Sequence, residues 1–162
     1  MLSRAGKLNL LLHHLQWLDI GTFESRKILQ KTIYILREMG MNFRYSYNWY
    51  IHGPYSPELA DDAYEIEGNK QYYDSEIERY SYKQKALHII EAFNDLFGDK
   101  RSDSEWLELV SSLLFLKKHY NLDSQELAST LLKRKPKFIS RKPLVYDAIR
   151  FTKKVHKVSG KA

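Results

Sequence analysis

The chain has 162 residues, 26 of them Lys or Arg, 20 Asp or Glu and none Cys, for a formal charge of +6. One domain with an ordinary apolar core is expected at this length, and the missing cysteine removes disulfide scaffolds, thiolate metal centres and cysteine nucleophiles. The apolar runs around Leu8–Leu12 and Leu113–Leu116 fall far short of the ~18–20 residues of a membrane span, and no leader-like segment opens the sequence, so a cytoplasmic protein with no membrane partner is expected.

In chain order, Leu8, Leu11, Leu12, Leu15 and Leu18 recur at helical spacing and predict an amphipathic helix over Leu2–Leu18, broken by Asp19-Ile20-Gly21-Thr22. A second helix is predicted from a Ser25 cap to Met39. Its inner face would carry Ile28, Leu29, Ile33 and Leu36, its outer face Arg26, Lys27, Gln30, Lys31 and Arg37, with Gly40 as the stop. From Phe43 the period becomes two, with Phe43, Tyr45, Tyr47, Trp49 and Ile51 on one face, which predicts an aromatic strand over 43–52 with a core-facing side. Gly53-Pro54 reads as a tight turn. Ser56, Pro57 and Glu58 then supply a cap, a first-turn proline and a first-turn acid, so a helix is predicted over Pro57–Glu67.

Lys70–Tyr82, rich in Tyr and acids, is expected to form two short strands, a wing-like hairpin. Helices follow around Leu87–Phe97, Ser104–Leu116, and from Asp123 or Ser124 to a limit at Pro136; a last one begins near Pro143. No repeat or linker divides the chain. The expected fold is mainly α with a small β element (α+β), a single domain of about six to seven helices. Residues 1–132 would form a compact helical core with the aromatic strand, and residues 133–162 a basic C-terminal segment packed on the same domain, with an amphipathic helix at about 143–157.

The charge is unevenly distributed. Lys133, Arg134, Lys135, Lys137, Arg141, Lys142, Arg150, Lys153, Lys154, Lys157 and Lys161 face a single acid, Asp147, so the last thirty residues carry +10 and the first 132 carry −4. Between Glu58 and Glu78, eight acids meet one base. On the Pro57–Glu67 helix, Glu58, Asp61, Asp62 and Glu65 form an acidic stripe at i, i+3, i+4 and i+7. On the last helix, Arg150, Lys153, Lys154 and Lys157 form a basic stripe opposite Val145, Ala148, Ile149, Thr152 and Val155. That basic face fits a solvated surface, a phosphate-backbone contact, a membrane surface, or a partner for the acidic stripe; it lacks the large apolar anchors a membrane contact uses.

Two segments together, Lys27-Ile-Leu-Gln-Lys-Thr-Ile-Tyr-Ile-Leu36 and Trp49-Tyr-Ile-His-Gly-Pro-Tyr-Ser-Pro-Glu-Leu59, carry a resemblance. The paired pattern resembles the YwgA-like family of uncharacterised bacterial and archaeal proteins and, more distantly, the Panacea antitoxin-associated domain. The likeness is strongest from Arg26 to about Asp62 and looser over Leu107–Phe138. It implies a helical domain related to winged-helix or helix-turn-helix architecture, with a regulatory or interaction role and no known enzymatic activity. The signature turn comprises Trp49, Tyr50, His52, Gly53, Pro54, Tyr55, Ser56 and Pro57. Each of the turn residues Gly53 to Pro57 also has a backbone reason to stand where a strand turns into a helix.

The acidic stripe after that turn would repel a polyanion, so Pro57–Glu67 is not expected to read DNA. No phosphate loop, dinucleotide fingerprint or nucleophile elbow is present. His13, His14, His52, His88, His119 and His156 lack zinc-protease spacing, and His88-x-x-Glu91 offers too few ligands, so neither metal nor cofactor is expected. Arg150-x5-His156 resembles the loose Arg-to-His pattern of the HEPN ribonucleases, but six helical residues leave the two side chains about 120° apart, a minor alternative.

The expectation is a non-enzymatic regulatory protein that binds nucleic acid, DNA or RNA, through phosphate contacts of Lys133, Arg134, Lys135, Lys137, Arg141, Lys142, Arg150, Lys153, Lys154 and Lys157. Arg26, Lys27, Lys31 and Arg37 form a secondary basic face. The alternative is a protein-interaction adaptor or antitoxin-like module using the acidic 58–78 surface (Glu58, Asp61, Asp62, Glu65), its partner another protein or a second copy.

Overall fold

The computed structural model describes residues 1–17 and 19–160. Leu18, expected on the inner face of the first helix, and Lys161, counted in the basic segment, lie outside them. The described residues form eight α-helices: α1 (Arg4–His14), α2 (Phe23–Met39), α3 (Pro57–Gly68), α4 (Lys70–Ile77), α5 (Gln84–Phe97), α6 (Ser104–Tyr120), α7 (Ser124–Arg134) and α8 (Lys142–Val158). Strands β1 (Asn48–Tyr50) and β2 (Gly53–Tyr55) pair antiparallel between α2 and α3. The chain is therefore mainly helical with one small sheet, as its periodicities predict.

The core is centred on α2 and α6, which pack along one another, with α8 against both, α5 against α2 and α8, and α7 against α6 and α8; α1 packs on α3 and α4. Leu36, Met39, Leu107, Leu113, Leu114, Leu131, Phe138 and Val145 are wholly buried in one continuous apolar cluster. On α8 the buried residues are Val145, Ala148, Ile149, Thr152 and Val155, the stripe read from the sequence. Local signals also hold at several helix ends. Gly40 closes α2 at φ 118°, Ser56 caps α3 by accepting from the Leu59 amide, and Asp123 and Glu126 form a reciprocal capping box on α7.

Several boundaries differ from expectation for identifiable reasons. α1 ends at His14, and Gln16 takes a left-handed conformation at φ 56°. Thr22 rather than Ser25 caps α2, with Ser25, the third residue of the helix, as its reciprocal partner, and Asp103 rather than Ser104 caps α6. The segment 70–77 is a helix, not two strands. Its inward residues Tyr73 and Ile77 are four apart, and Asp74 receives hydrogen bonds from Asn9 and His13 of α1 and is ion-paired to Lys70.

The aromatic strand is shorter than predicted although its alternation survives. Met41, Tyr45 and Tyr47 are buried while Asn42, Arg44, Ser46 and Asn48 are exposed, yet only Asn48–Tyr50 has a strand beside it. Arg44 at φ 65° interrupts the extended run. Gly53-Pro54 does not form the turn; that is Ile51-His52, and Gly53 begins the returning strand, with Tyr50 opposite Gly53, Trp49 opposite Pro54 and Asn48 opposite Tyr55.

Gly53 is required twice over. Its φ is +93°, and a Cβ there would lie 2.4 Å from Oγ of Ser112 on α6, a buried hydroxyl without a hydrogen-bond partner. Gly53→Ala is expected to cost about 2–4 kcal/mol. Adding Ser112→Ala relieves the contact but not the backbone strain, so urea denaturation of the double variant should recover part of the loss and no more.

Candidate functional site

The chain's most concentrated electrostatics lie inside the fold. Glu108 sits in the apolar run Trp106-Leu-Glu-Leu-Val110 of α6 and has no exposed surface. Its carboxylate meets Lys27 of α2 at 2.6 Å, Lys135 at 2.8 Å and Lys137 at 3.0 Å, with His52 Nδ1 at 3.6 Å. Lys135, itself buried, also donates to the Ile51 carbonyl in the hairpin loop. Burial pushes the Glu108 carboxyl up, but hydrogen bonds and charge from Lys135, Lys27 and Lys137 more than reverse this and bring it from 4.5 to about 2. Burial lowers Lys135, against the pull of Glu108. It also lowers His52, again opposed by Glu108 and reinforced by the surrounding lysines.

One helical turn from Lys27, Gln30 and Lys31 hold the hairpin-to-helix corner by its backbone. Gln30 donates to the Ser56 carbonyl and accepts from the Ser56 amide, both at 2.9 Å, and Lys31 Nζ donates to the Pro54 carbonyl at 2.7 Å. Both side chains are buried, Lys31 at 1% exposure. Burial brings the Lys31 ammonium down to about 7, with Glu108 opposing and Lys135 and Lys27 adding to the shift.

The secondary basic face is thereby corrected. Lys27 and Lys31 point inward to Glu108 and Pro54, Arg26 donates to the Ile20 carbonyl, and Arg37 stacks over the Tyr47 ring at 5.4 Å. The physical reason is that α2 is covered on two sides, by α6 and by the hairpin and α3, so its polar side serves as an interior scaffold.

The signature residues converge on the same place. Ser56 is clamped by Gln30, Pro57 opens α3, and His52 lies edge-on to Phe23 at 5.1 Å. The Tyr50 and Tyr55 rings meet at 5.1 Å, and Trp49 packs near Phe115. Beside them is a cavity of about 310 Å³ between α2, the hairpin and α3, walled by Phe23, Leu29, Tyr55, Ala63 and Tyr64, with Arg26, Lys27, Lys31 and His52 also in its lining.

The C-terminal basic residues divide into two groups. Lys135 and Lys137 belong to Glu108, Arg141 makes a two-pronged pair with Glu105 at 2.5 and 2.9 Å, and Arg134 lies 5.2 Å from both the Trp49 and Tyr120 rings. The buried Lys135 is thus no surface phosphate ligand, because its ammonium is needed by Glu108. Arg150 pairs with Asp147 on its own helix, and His156 is half-buried a turn and a half beyond it. Lys133, Lys142, Lys153, Lys154 and Lys157 are exposed and meet no carboxylate among the described residues.

The acidic stripe does not meet α8. Arg4 of α1 binds Glu58 at 3.2 Å and Asp62 at 2.8 Å, Tyr45 donates to Asp62, and the Ser46 amide donates to Glu58. Asp61 and Glu65 stay exposed. Among the described residues no group of three or more His, Asp or Glu is placed to hold a metal ion, and no helix is long and apolar enough to cross a membrane. No family model matches the chain, nor does any curated protein or solved structure.

The Glu108 cluster escapes a search for motifs, since its members are 81 residues apart at the first lysine and 27 at Lys135. The usable signal was a lone acid in an apolar helical run, which must find a cation if it is to stay charged. Glu108→Gln leaves Lys27 and Lys135 without their counter-charge and is expected to cost about 3–5 kcal/mol; Glu105→Gln, at an exposed pair, should cost much less. The Glu108 contribution is fully present above pH 4.5 and is lost as pH falls toward 2, so the variant's stability, followed by urea denaturation, should vary less across that window than the parent's.

Proposed function

We propose that this chain is a non-enzymatic regulatory protein that binds nucleic acid through the solvent-facing side of α8, by phosphate contacts without base readout. The observation that carries the reading is that Lys153, Lys154 and Lys157 stand on one exposed helix face and pair with no acid among the described residues, while Glu58 and Asp62 are taken by Arg4. Lys133 and Lys142 extend the set. Such contacts release counterions, so affinity falls steeply with salt and varies little with sequence. On this reading the α2–hairpin–α3 unit is a winged-helix relative whose acidic α3 is kept from the polyanion by like charge.

A second reading, a protein-interaction module, has its own observation: Tyr64 and Tyr72, on helices that also expose Asp61, Glu65 and Glu67, are 53% and 61% exposed, and tyrosine is enriched where partners bind. The two readings separate in a salt-titrated anisotropy assay with duplex DNA and a structured RNA. Replacing Lys153, Lys154 and Lys157 by Gln should weaken binding to both and reduce the slope of log K against log salt by about 0.9 per lost phosphate contact on duplex DNA. The Lys83→Gln/Lys85→Gln control, exposed at the start of α5, should leave it unchanged. Weak binding that is indifferent to the triple substitution overturns the nucleic-acid reading.

A further inference from the structure

The cavity beside the hairpin combines three properties that the nucleic-acid reading does not use. It has ligand size, about 310 Å³, at the lower end of the roughly 300–1,000 Å³ typical of small-molecule sites. Large apolar side chains at its edge remain in water: Phe23 is 52% exposed, Tyr50 44%, Tyr64 53% and Ile51 88%. Single exposed apolar residues are ordinary, but four around one cavity form a patch that binding would cover.

The third property is an excess of positive charge. Lys27, Lys135 and Lys137 share the single buried carboxylate of Glu108, and Lys31 and Arg26, which also line the cavity, have only backbone carbonyls as direct partners. Two further acids reach this region, Asp61 beside Tyr55 and Glu105, which acts on Lys137 but is itself paired with Arg141. Lys31 uses one of its three N–H donors on Pro54, leaving two.

We propose that this cavity is a binding site for a small amphiphilic carboxylate, an aryl-alkanoate or short fatty acid, whose apolar body lies against Phe23, Tyr55 and Tyr64 and whose carboxylate accepts from Lys31 and Arg26. A small molecule is favoured over a protein segment because the cavity has small-molecule volume and Arg26 and Lys31 belong to its lining rather than to an open face, Lys31 at 1% exposure. The anion supplies the charge the cluster lacks. It also stabilises the protonated form of Lys31, which without ligand titrates near 7, so binding takes up protons and weakens as pH rises above 7. The groups whose charge acts on Lys31 are Glu108 on α6, Lys135 after α7 and Lys27 on α2, with His52 and Lys137 around the same carboxylate and Glu105 and Asp61 further out.

The test is isothermal titration of the full chain with 3-phenylpropionate and octanoate, against the neutral 3-phenylpropionamide, at pH 6.5 and 9.0 and in two buffers of different ionisation enthalpy. Both carboxylates should bind at least tenfold more tightly than the amide, more tightly at pH 6.5 than at 9.0, and with proton uptake. Ala60→Leu, which fills the cavity from α3 without touching a charge, should abolish binding with the thermal melt retained; Lys31→Met should reduce carboxylate affinity to that of the amide. Lys153, Lys154 and Lys157 replaced by Gln should bind the carboxylates normally, so failure here and failure of the nucleic-acid reading are separate results. Equal binding of acid and amide, no binding by either carboxylate, or binding that survives Ala60→Leu overturns the proposal, as does a site that takes only an aromatic-acidic peptide.

Discussion

A carboxylate with no exposed surface, placed between leucines in the central helix, can stay ionised only if cations reach it, and here they come from two distant parts of the chain. Lys27 arrives from α2, Lys135 and Lys137 from the connection between α7 and α8, and Lys135 continues to the carbonyl of Ile51 at the hairpin tip. Taking these charges out of water costs several kcal/mol per ion, and the pairing offsets that cost only when the geometry is complete. Such a cluster adds little net stability over an apolar replacement. What it adds is dependence: the hairpin, α2, α6 and the turn after α7 must all be in place before any one of them is tolerable. Gln30 and Lys31 extend that dependence to the start of α3 through the Ser56 and Pro54 backbone.

The same division governs the basic C-terminal residues. Those nearest α6 are consumed by it, as counter-charges to Glu108 and Glu105 or stacked on aromatic rings, and those on the outer side of α8 are left to the solvent. The segment after Leu132 is therefore no detachable arm, since Lys135, Phe138 and Val145 lie in the interior. Its positive charge is part structural and part available, and formal charge alone does not say which residue is which.

The helical elements were legible because they depend on local rules. The α8 stripe, the Ser56-Pro57 start of α3, the Gly40 stop and the Asp123 cap need only neighbours three or four residues away. Where a distant partner decides, the sequence was silent or misleading. The strand over 43–52 has the right alternation but only three residues with a neighbour to pair. The tyrosines and acids of 70–77 suggest strands until Asp74 is seen to bind Asn9 and His13 of α1. Lys27, Gln30 and Lys31 look like a solvated face by type, and only the cover supplied by α6 and the hairpin turns them inward. The site suffered most, because a cavity and a shared carboxylate exist only once segments distant in the sequence, as far apart as Lys27 and Glu108, have met.

The shared carboxylate also limits how sequences of this fold can diverge. A surface ion pair can lose either member and drift on, but Glu108 has several cationic partners, and Lys135 also serves the hairpin. Losing Lys27 or Lys137 leaves the acid partly compensated, whereas losing Glu108 leaves buried ammonium groups with nothing to hold. Replacement should therefore run in one order, with Lys27 or Lys137 changing first and the acid last or all together to apolar side chains, so that in diverging copies of this chain position 108 would follow 27 and 137 rather than lead them.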